Sequence, residues 1–241
     1  LQLPLRQPAV VAKQAAALAH LSSGRFVLGV GAGSRRGEYE AARIDYATRA
    51  RALDRGIDIL RQAWRGAGWA EDPDPAYRQL PAPSRVPVWV GGSSEAALRR
   101  AARVGEGWMP LFVTPEDYAS ALGRLDKETE RAGREPHDVT RAVVVFVSVG
   151  GNKAAERGLE WMSSLYGIPA RAFTHHLVAG SPRSCARVLE RYVEAGADHV
   201  IAFLTADDPL VPFGEFAHEF AGRTDARRAG SSGPEDVRGN G

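Results

Sequence analysis

At 241 residues, 44% hydrophobic and 25% charged, the chain has the makeup of one globular domain that can bury a core without disulfides or metals. Its formal charge is only +2, and acids are interspersed with the basic residues, so the basic stripe with interleaved aromatics of a nucleic-acid binder is not found. Cys185 is the only cysteine, which excludes an internal disulfide or a cysteine cluster, and no apolar run approaches the ~20 residues that span a bilayer.

Lysine occurs only at Lys13, Lys127 and Lys153. The arginine, alanine and glycine richness reads as a GC-rich coding bias rather than a functional signal. No charged segment followed by an apolar one opens the chain, so the expectation is a cytoplasmic protein without membrane association. The chain begins at Leu1 rather than Met and runs into the proline-bounded Leu3-Pro4-Leu5-Arg6-Gln7-Pro8, which reads as a truncated start.

Ala9 to Leu21 has Val10, Ala17, Leu18 and Leu21 at helical spacing, with Pro8 suited to a first turn. Arg25 to Gly31 is a short apolar run, as in a strand buried on both faces of a parallel sheet. A polar loop is expected next, then a helix from Thr48 to Trp64 with Leu53, Ile57 and Leu60 on one stripe. Gly66 to Val86 reads as an irregular, Pro- and acid-rich excursion. Strands are expected at Pro87–Gly91, Gly107–Leu111, Val143–Val149 and His199–Leu204. Helices are expected at Glu95–Val104, Pro115–Ala132, Lys153–Tyr166, Pro169–Val178, Ser181–Ala195 and Pro212–Ala221. Residues 223–241 cannot bury apolar area and read as a disordered tail, leaving 1–222 as the folded domain.

Strands alternating with helices imply a parallel sheet with right-handed crossovers. A doubly wound sheet carries its phosphate loop as a G-x-G-x-x-G motif after the first strand. Here Gly29-Val30-Gly31-Ala32-Gly33 lies largely within a strand and Ser34 to Tyr39 makes no such fingerprint. Glycine-rich ends after two different strands favour a (β/α)8 barrel. Five strands cannot close one, so at ~30 residues per βα unit roughly 70–90 residues, the first three strands, are expected upstream.

Val90-Gly91-Gly92-Ser93-Ser94 leaves a strand and enters a helix at Glu95. Two glycines let backbone N–H groups approach an anion, the serines add hydroxyls and the helix start adds a favourable dipole. A plain turn with a serine N-cap fits the same residues. Gly31-Ala32-Gly33-Ser34 ends the first strand, where glycine lets a flat ring lie on the main chain; close strand–helix packing is the alternative.

The run Leu5-Arg6-Gln7-Pro8, Ala12 to Leu18, Leu21 to Arg25 and Leu28 to Gly33 resembles the luciferase-like monooxygenase superfamily. So do Glu38-Tyr39-Glu40 with Arg49 and Leu53-Asp54, Val88 to Ser93, Arg100 to Arg103 with Gly105 to Trp108, and Ala195 to Val200, all in order. The resemblance implies a TIM barrel binding FMN or coenzyme F420 at the strand C-terminal mouth. Gly91, Gly92, Ser93 and Ser94 would hold the cofactor phosphate, and Ala32 and Gly33 would border the ring. The implied function is oxidoreduction of a small organic substrate, by hydride transfer or oxygen insertion, in an enzyme commonly a homodimer. The GC-rich composition tilts the cofactor towards F420. Ser34 stands where deazaflavin sugar-phosphate dehydrogenases of the family have an acid, so that acid's chemistry is not carried over and no catalytic acid or base is assigned.

Glu38 is expected to pair with Arg49 or cap the following helix. His175-His176 is not read as a metal pair. Trp108 and Met109 suit either ring contact or core packing, as do Trp161, Tyr166 and Phe173 for a substrate pocket or helix packing. Cys185 is expected to be inert. A phosphate-binding aldolase or isomerase would need a lysine or a carboxylate pair at strand ends, and none is seen. The rival within the fold is a non-catalytic cofactor-binding homologue or an inactive fragment.

Overall fold

The computed structural model describes residues 1–65, 81–82, 85–206, 210, 213–214 and 216–219. Most of the excursion expected at 66–86 and the whole of the tail expected at 223–241 lie outside these. The chain forms two compact units, Leu1–Val113 with Asp117–Val143, and Thr114–Glu116 with Val144–Gly241.

The first unit is built by strands β1 (Leu28–Val30), β2 (Val88–Gly91) and β3 (Gly107–Met109), with the start of β4 (Thr140–Val149). All neighbours are parallel. Gly29 stands beside Trp89, Val90 beside Trp108, and Trp108 beside Arg141. On the outer side of β1, Gln2 pairs in parallel with Gly31. Because the strands run the same way, their C-terminal ends all open on one side.

Helices α1 (Pro8–Leu21) and α3 (Arg49–Trp64) cover this sheet. Leu53, Ile57 and Leu60 fall on one face of α3 and are buried against Val11, Ala12, Ala15 and Ala19 of α1 and Leu28, Val30 and Val88 of the strands. Alanine on the buried face of α1 lets the two helices approach closely, and the Trp64 indole donates to the Ala12 carbonyl at 3.0 Å. Helices α4 (Glu95–Val104) and α5 (Pro115–Arg131) follow β2 and β3. Gly107 is fixed by packing, since a Cβ there would lie 2.4 Å from Cδ1 of Trp89.

Glu106 ties this unit together. One carboxylate oxygen accepts from the Val88 N–H at 2.9 Å and the other from Arg61 at 2.7 Å. Its backbone bonds both Val88 and Thr140.

The second unit holds the rest of β4 with β5 (Leu177–Gly180), β6 (His199–Leu204), α6 (Ala154–Tyr166) and α7 (Pro182–Glu194). Phe146 to Val149 pair in parallel with Leu177 to Gly180, while β6 also pairs with β4. Phe146, Trp161, Tyr166, Phe173 and Phe203 form an aromatic cluster with ring centroids 5.3 to 6.1 Å apart. The three aromatics expected in a pocket or in packing therefore pack.

Two expected elements are corrected. Residues 169–178 are not a helix: a short 3-10 turn at Ala170–Phe173 gives way to β5. Backbone pairing with β4 outweighs a weak helical pattern that β-branched Val178 already opposes. This places His175-His176 in a turn. The loop after β1 contains a six-residue helix, α2 (Arg36–Ala41), whose only buried residue is Tyr39, so it shows no apolar stripe in the sequence. Described positions between 210 and 219 are helical, as expected.

Leu60 is wholly buried in the α1–α3 interface. Leu60→Ala should lower stability by about 2–5 kcal/mol through the cavity it leaves, read as a lower urea midpoint. Burial pushes the Cys185 thiol up to about 11, and its sulfur is fully enclosed beside the Gly180 and Ser148 carbonyls. Since the thiolate is the reactive form, Cys185 should resist a thiol reagent at mildly alkaline pH until urea unfolds the protein.

Candidate functional site

The C-terminal ends of β1, β2 and β3 open into a cavity of about 670 Å³, a size usual for a small-molecule site. Ala32, Gly33, Gly91, Gly92, Ser93 and Ser94 all line it. The two glycine-rich segments meet there because Val30 and Val90 are register partners. Leu53, Met109 and Leu111 supply apolar wall, and Arg49 and Arg100 the positive charge. Among the described lining residues there is no carboxylate, imidazole, thiol or lysine.

The Gly91–Ser94 turn is held by specific contacts. Gly92 has φ +117°, a conformation that L side chains rarely adopt, and a Cβ there would sit 3.1 Å from that of Ala97. Its carbonyl accepts from the Trp108 indole at 3.0 Å. Trp108 is only 1% exposed and stacks on Tyr118, so it braces the turn from behind, while neighbouring Met109 faces the cavity. Ser94 is the N-cap of α4, its Oγ accepting from the Ala97 N–H at 3.3 Å. The Ser93 hydroxyl is exposed and has no protein partner among the described residues.

A second brace shapes the Ala32–Ser34 segment. The Tyr39 hydroxyl donates to the Ala32 carbonyl, and the Tyr46 hydroxyl donates to the Ser34 carbonyl at 3.0 Å. The rings meet edge to face at 5.3 Å. Burial pushes the Tyr39 phenol above its ordinary value, against the opposing pull of Arg49, which keeps it a neutral donor. Arg49 lies 3.8 Å over the Tyr46 ring and donates to the Tyr46 carbonyl. The expected Glu38–Arg49 pair is not formed; Glu38 instead faces Arg35 at 3.6 Å. Gly33, at φ +71°, lets the segment turn between the two tyrosine contacts.

Arg100 is fixed by Asp54 through bonds of 2.7 and 3.1 Å. The sequence assigns the tyrosines no bracing role and leaves Trp108 between ring contact and core packing, because their partners are backbone carbonyls of distant residues, which no local pattern reveals. Among the described residues no group of three His, Cys, Asp or Glu side chains is placed to hold a metal, and no helix is long and apolar enough to cross a membrane.

The cavity fits a phosphate-bearing planar cofactor. It combines bare glycine backbone at two strand ends, the start of a ten-residue helix and two arginines, of which Arg100 is already paired to Asp54 outside the lining.

The family model for luciferase-like monooxygenases matches residues 1–174. An uncharacterized protein of Mycobacterium tuberculosis is 37% identical over 162 residues, which is 65% of this chain and 56% of the relative. A phthiodiolone/phenolphthiodiolone dimycocerosates ketoreductase of the same organism is 30% identical over 186 residues, 71% of this chain and 48% of the relative. The chain thus spans about half the length of the curated relatives it matches. Among solved structures, an F420-dependent secondary alcohol dehydrogenase in complex with an F420–acetone adduct superposes with TM-score 0.74 at 19% identity, covering 88% of this chain and 73% of that one. A monooxygenase from Streptomyces bottropensis gives TM-score 0.73 at 18% identity, covering 94% and 76%. These likenesses show the fold, the parallel-stranded α/β arrangement of luciferase-like TIM barrels. With the family model matched over most of its length, the chain belongs to the luciferase-like monooxygenase family.

Proposed function

We propose that this chain is the cofactor-binding part of an oxidoreductase that uses coenzyme F420 or FMN on a small organic substrate. The observation that carries the reading is the convergence of Ala32–Gly33, Gly91–Ser94 and the start of α4 on one cavity whose described lining holds no acid. A solved neighbour named for F420-dependent alcohol oxidation and a curated relative named as a ketoreductase support hydride transfer to or from a carbonyl, with F420 as the cofactor we read first. Monooxygenase neighbours keep oxygen insertion as the alternative reaction.

The bound ring supplies the redox step itself, and the protein supplies position. Gly91, Gly92 and Ser93 hold the phosphate with backbone N–H groups and the Ser93 hydroxyl, with Ser94 setting the helix start behind them. The α4 dipole and Arg49 and Arg100 favour the negative charge. Ala32 and Gly33 border the ring, at a height set by the Tyr39 and Tyr46 hydroxyls. Leu53, Met109 and Leu111 exclude water from the ring side. A non-catalytic cofactor-binding homologue is the second reading, favoured by the absence of a proton-transfer side chain among the described lining residues.

Fluorescence titration of the full-length protein with F420 and with FMN tests the reading; saturable binding of F420 is expected, and binding of neither overturns it. Gly92→Ala should weaken binding by about tenfold or more, because the turn cannot keep its shape. Trp108→Phe, which removes one hydrogen bond worth about 0.5–1.5 kcal/mol, should weaken it roughly 2- to 10-fold with the fold retained by circular dichroism. Bound cofactor that is neither oxidised nor reduced with ketones, alcohols or oxygen would favour the non-catalytic reading.

A further inference from the structure

A second depression of about 590 Å³ runs along the outside of α4. The helix buries Ala97, Leu98, Ala101 and Ala102 and turns Ala96, Arg99 and Arg103 outwards, with the largely shielded Arg100 between them at the groove's edge. Asp54 of α3 forms part of one side, and Glu128, Arg131 and Ala132 of the α5 end form the other. Four arginines therefore meet two carboxylates. Asp54 is shared by Arg100 and Arg103, and Glu128 faces Arg131 at 2.5 Å. Arg99 is exposed and carries no ion pair or hydrogen bond among the described residues.

This groove adjoins the cofactor cavity. Ala96 and Arg100 line both, and the groove begins at the helix end where Gly91–Ser94 form their turn. From Ala96 to Arg103 it follows the helix for roughly 10 Å at about 1.5 Å per residue. A phosphate monoester seated at the turn ends there. A phosphodiester carrying a further chain of carboxylates would emerge from the turn beside Ala96 and meet the arginines in succession.

We propose that the groove between the outer face of α4 and the end of α5 is a binding track for an oligocarboxylate tail attached to the cofactor phosphate, with Arg99 and Arg103 of α4 and Arg131 of α5 as its contacts. The track selects a tailed deazaflavin such as F420, whose phosphate continues into a glutamate chain, over FMN, whose phosphate is terminal. The inference rests on the cofactor reading above, and the two fail differently.

The experiment is equilibrium fluorescence titration of the full-length protein with F420 bearing its glutamate chain and with the same deazaflavin phosphodiester lacking the glutamates. At about 0.05 M salt the tailed form should bind about 10-fold more tightly, and the difference should close by about 0.5 M salt as the exposed charges are screened. Arg99→Glu, which breaks no contact within the fold, should remove most of the difference, and Arg131→Glu should reduce it. Equal affinity for the two forms at low salt overturns the track while leaving the cofactor reading intact, as does a difference that Arg99→Glu and salt leave unaltered. Binding of neither form overturns the cofactor reading and the track with it. A free glutamate oligomer should bind at least 10-fold more weakly than the tailed cofactor; equal binding would make the groove a site for acidic peptides and overturn its link to the cofactor.

Discussion

The carboxylate of Glu106 fixes both the start of β2 and the position of α3. It accepts from a backbone N–H and from a guanidinium at once, and both side chains of the ion pair are more than two-thirds shielded. Charge-assisted bonds of this kind are stronger and more directional than neutral ones. Two residues further on, the Trp108 indole fixes the other end of β2 through the Gly92 carbonyl. A four-residue segment, Gly105 to Trp108, thus sets where the second strand begins and how the turn after it is shaped. The glycines of the segment serve this placement: at Gly105 and Gly107 an added Cβ would come within 3.0 Å of neighbouring atoms.

From that placement the cavity follows. Parallel β1 and β2 in register bring Gly31 and Gly91 to the same height, and the absence of side chains there leaves backbone as the surface. The space is kept open by residues outside the cavity: Trp108 behind one turn and Tyr39 with Tyr46 behind the other. Each donates a hydrogen bond to a backbone carbonyl in the segment that follows a strand, so the braces satisfy the backbone and shape the site together.

Local chemistry in the sequence was sufficient where an element is decided by its own residues. The bounds of α4 and β6 were read directly, because Ser94 caps a clear amphipathic run and His199–Leu204 is a continuous apolar stretch. The Gly91–Ser94 turn was legible for the same reason. Pairing between distant segments was not. Leu177–Gly180 became a strand only through Phe146–Val149, and β1 shrank to three residues because its pairing with β2 starts at Leu28. Tyr39 stands in the sequence only as part of the Glu38-Tyr39-Glu40 motif, with no role of its own, since its value lies in reaching the Ala32 carbonyl seven residues back. The union of Ala32–Gly33 with Gly91–Ser94 in one cavity likewise depends on register, which no single segment encodes.

The distribution of charge around α4 separates two ways of holding an anion. Inside, Arg100 already spends its Nε and one Nη on Asp54, so under the proposed reading it would add a field more than a bond, and the direct donors would be backbone and serine groups. Such donors are fixed by the fold and little affected by ionic strength. Outside, Arg99, Arg103 and Arg131 are exposed ends of flexible side chains, whose attraction decays over a screening length of about 10 Å in ordinary buffer. The inner set gives geometry and the outer set gives long-range attraction. A ligand that engaged both would be drawn in by the arginines and oriented by the glycine turn, whereas a ligand ending at its phosphate would use the turn alone. Arg100, held by Asp54, lines both the cavity and the groove, and the helix that carries it is capped by Ser94.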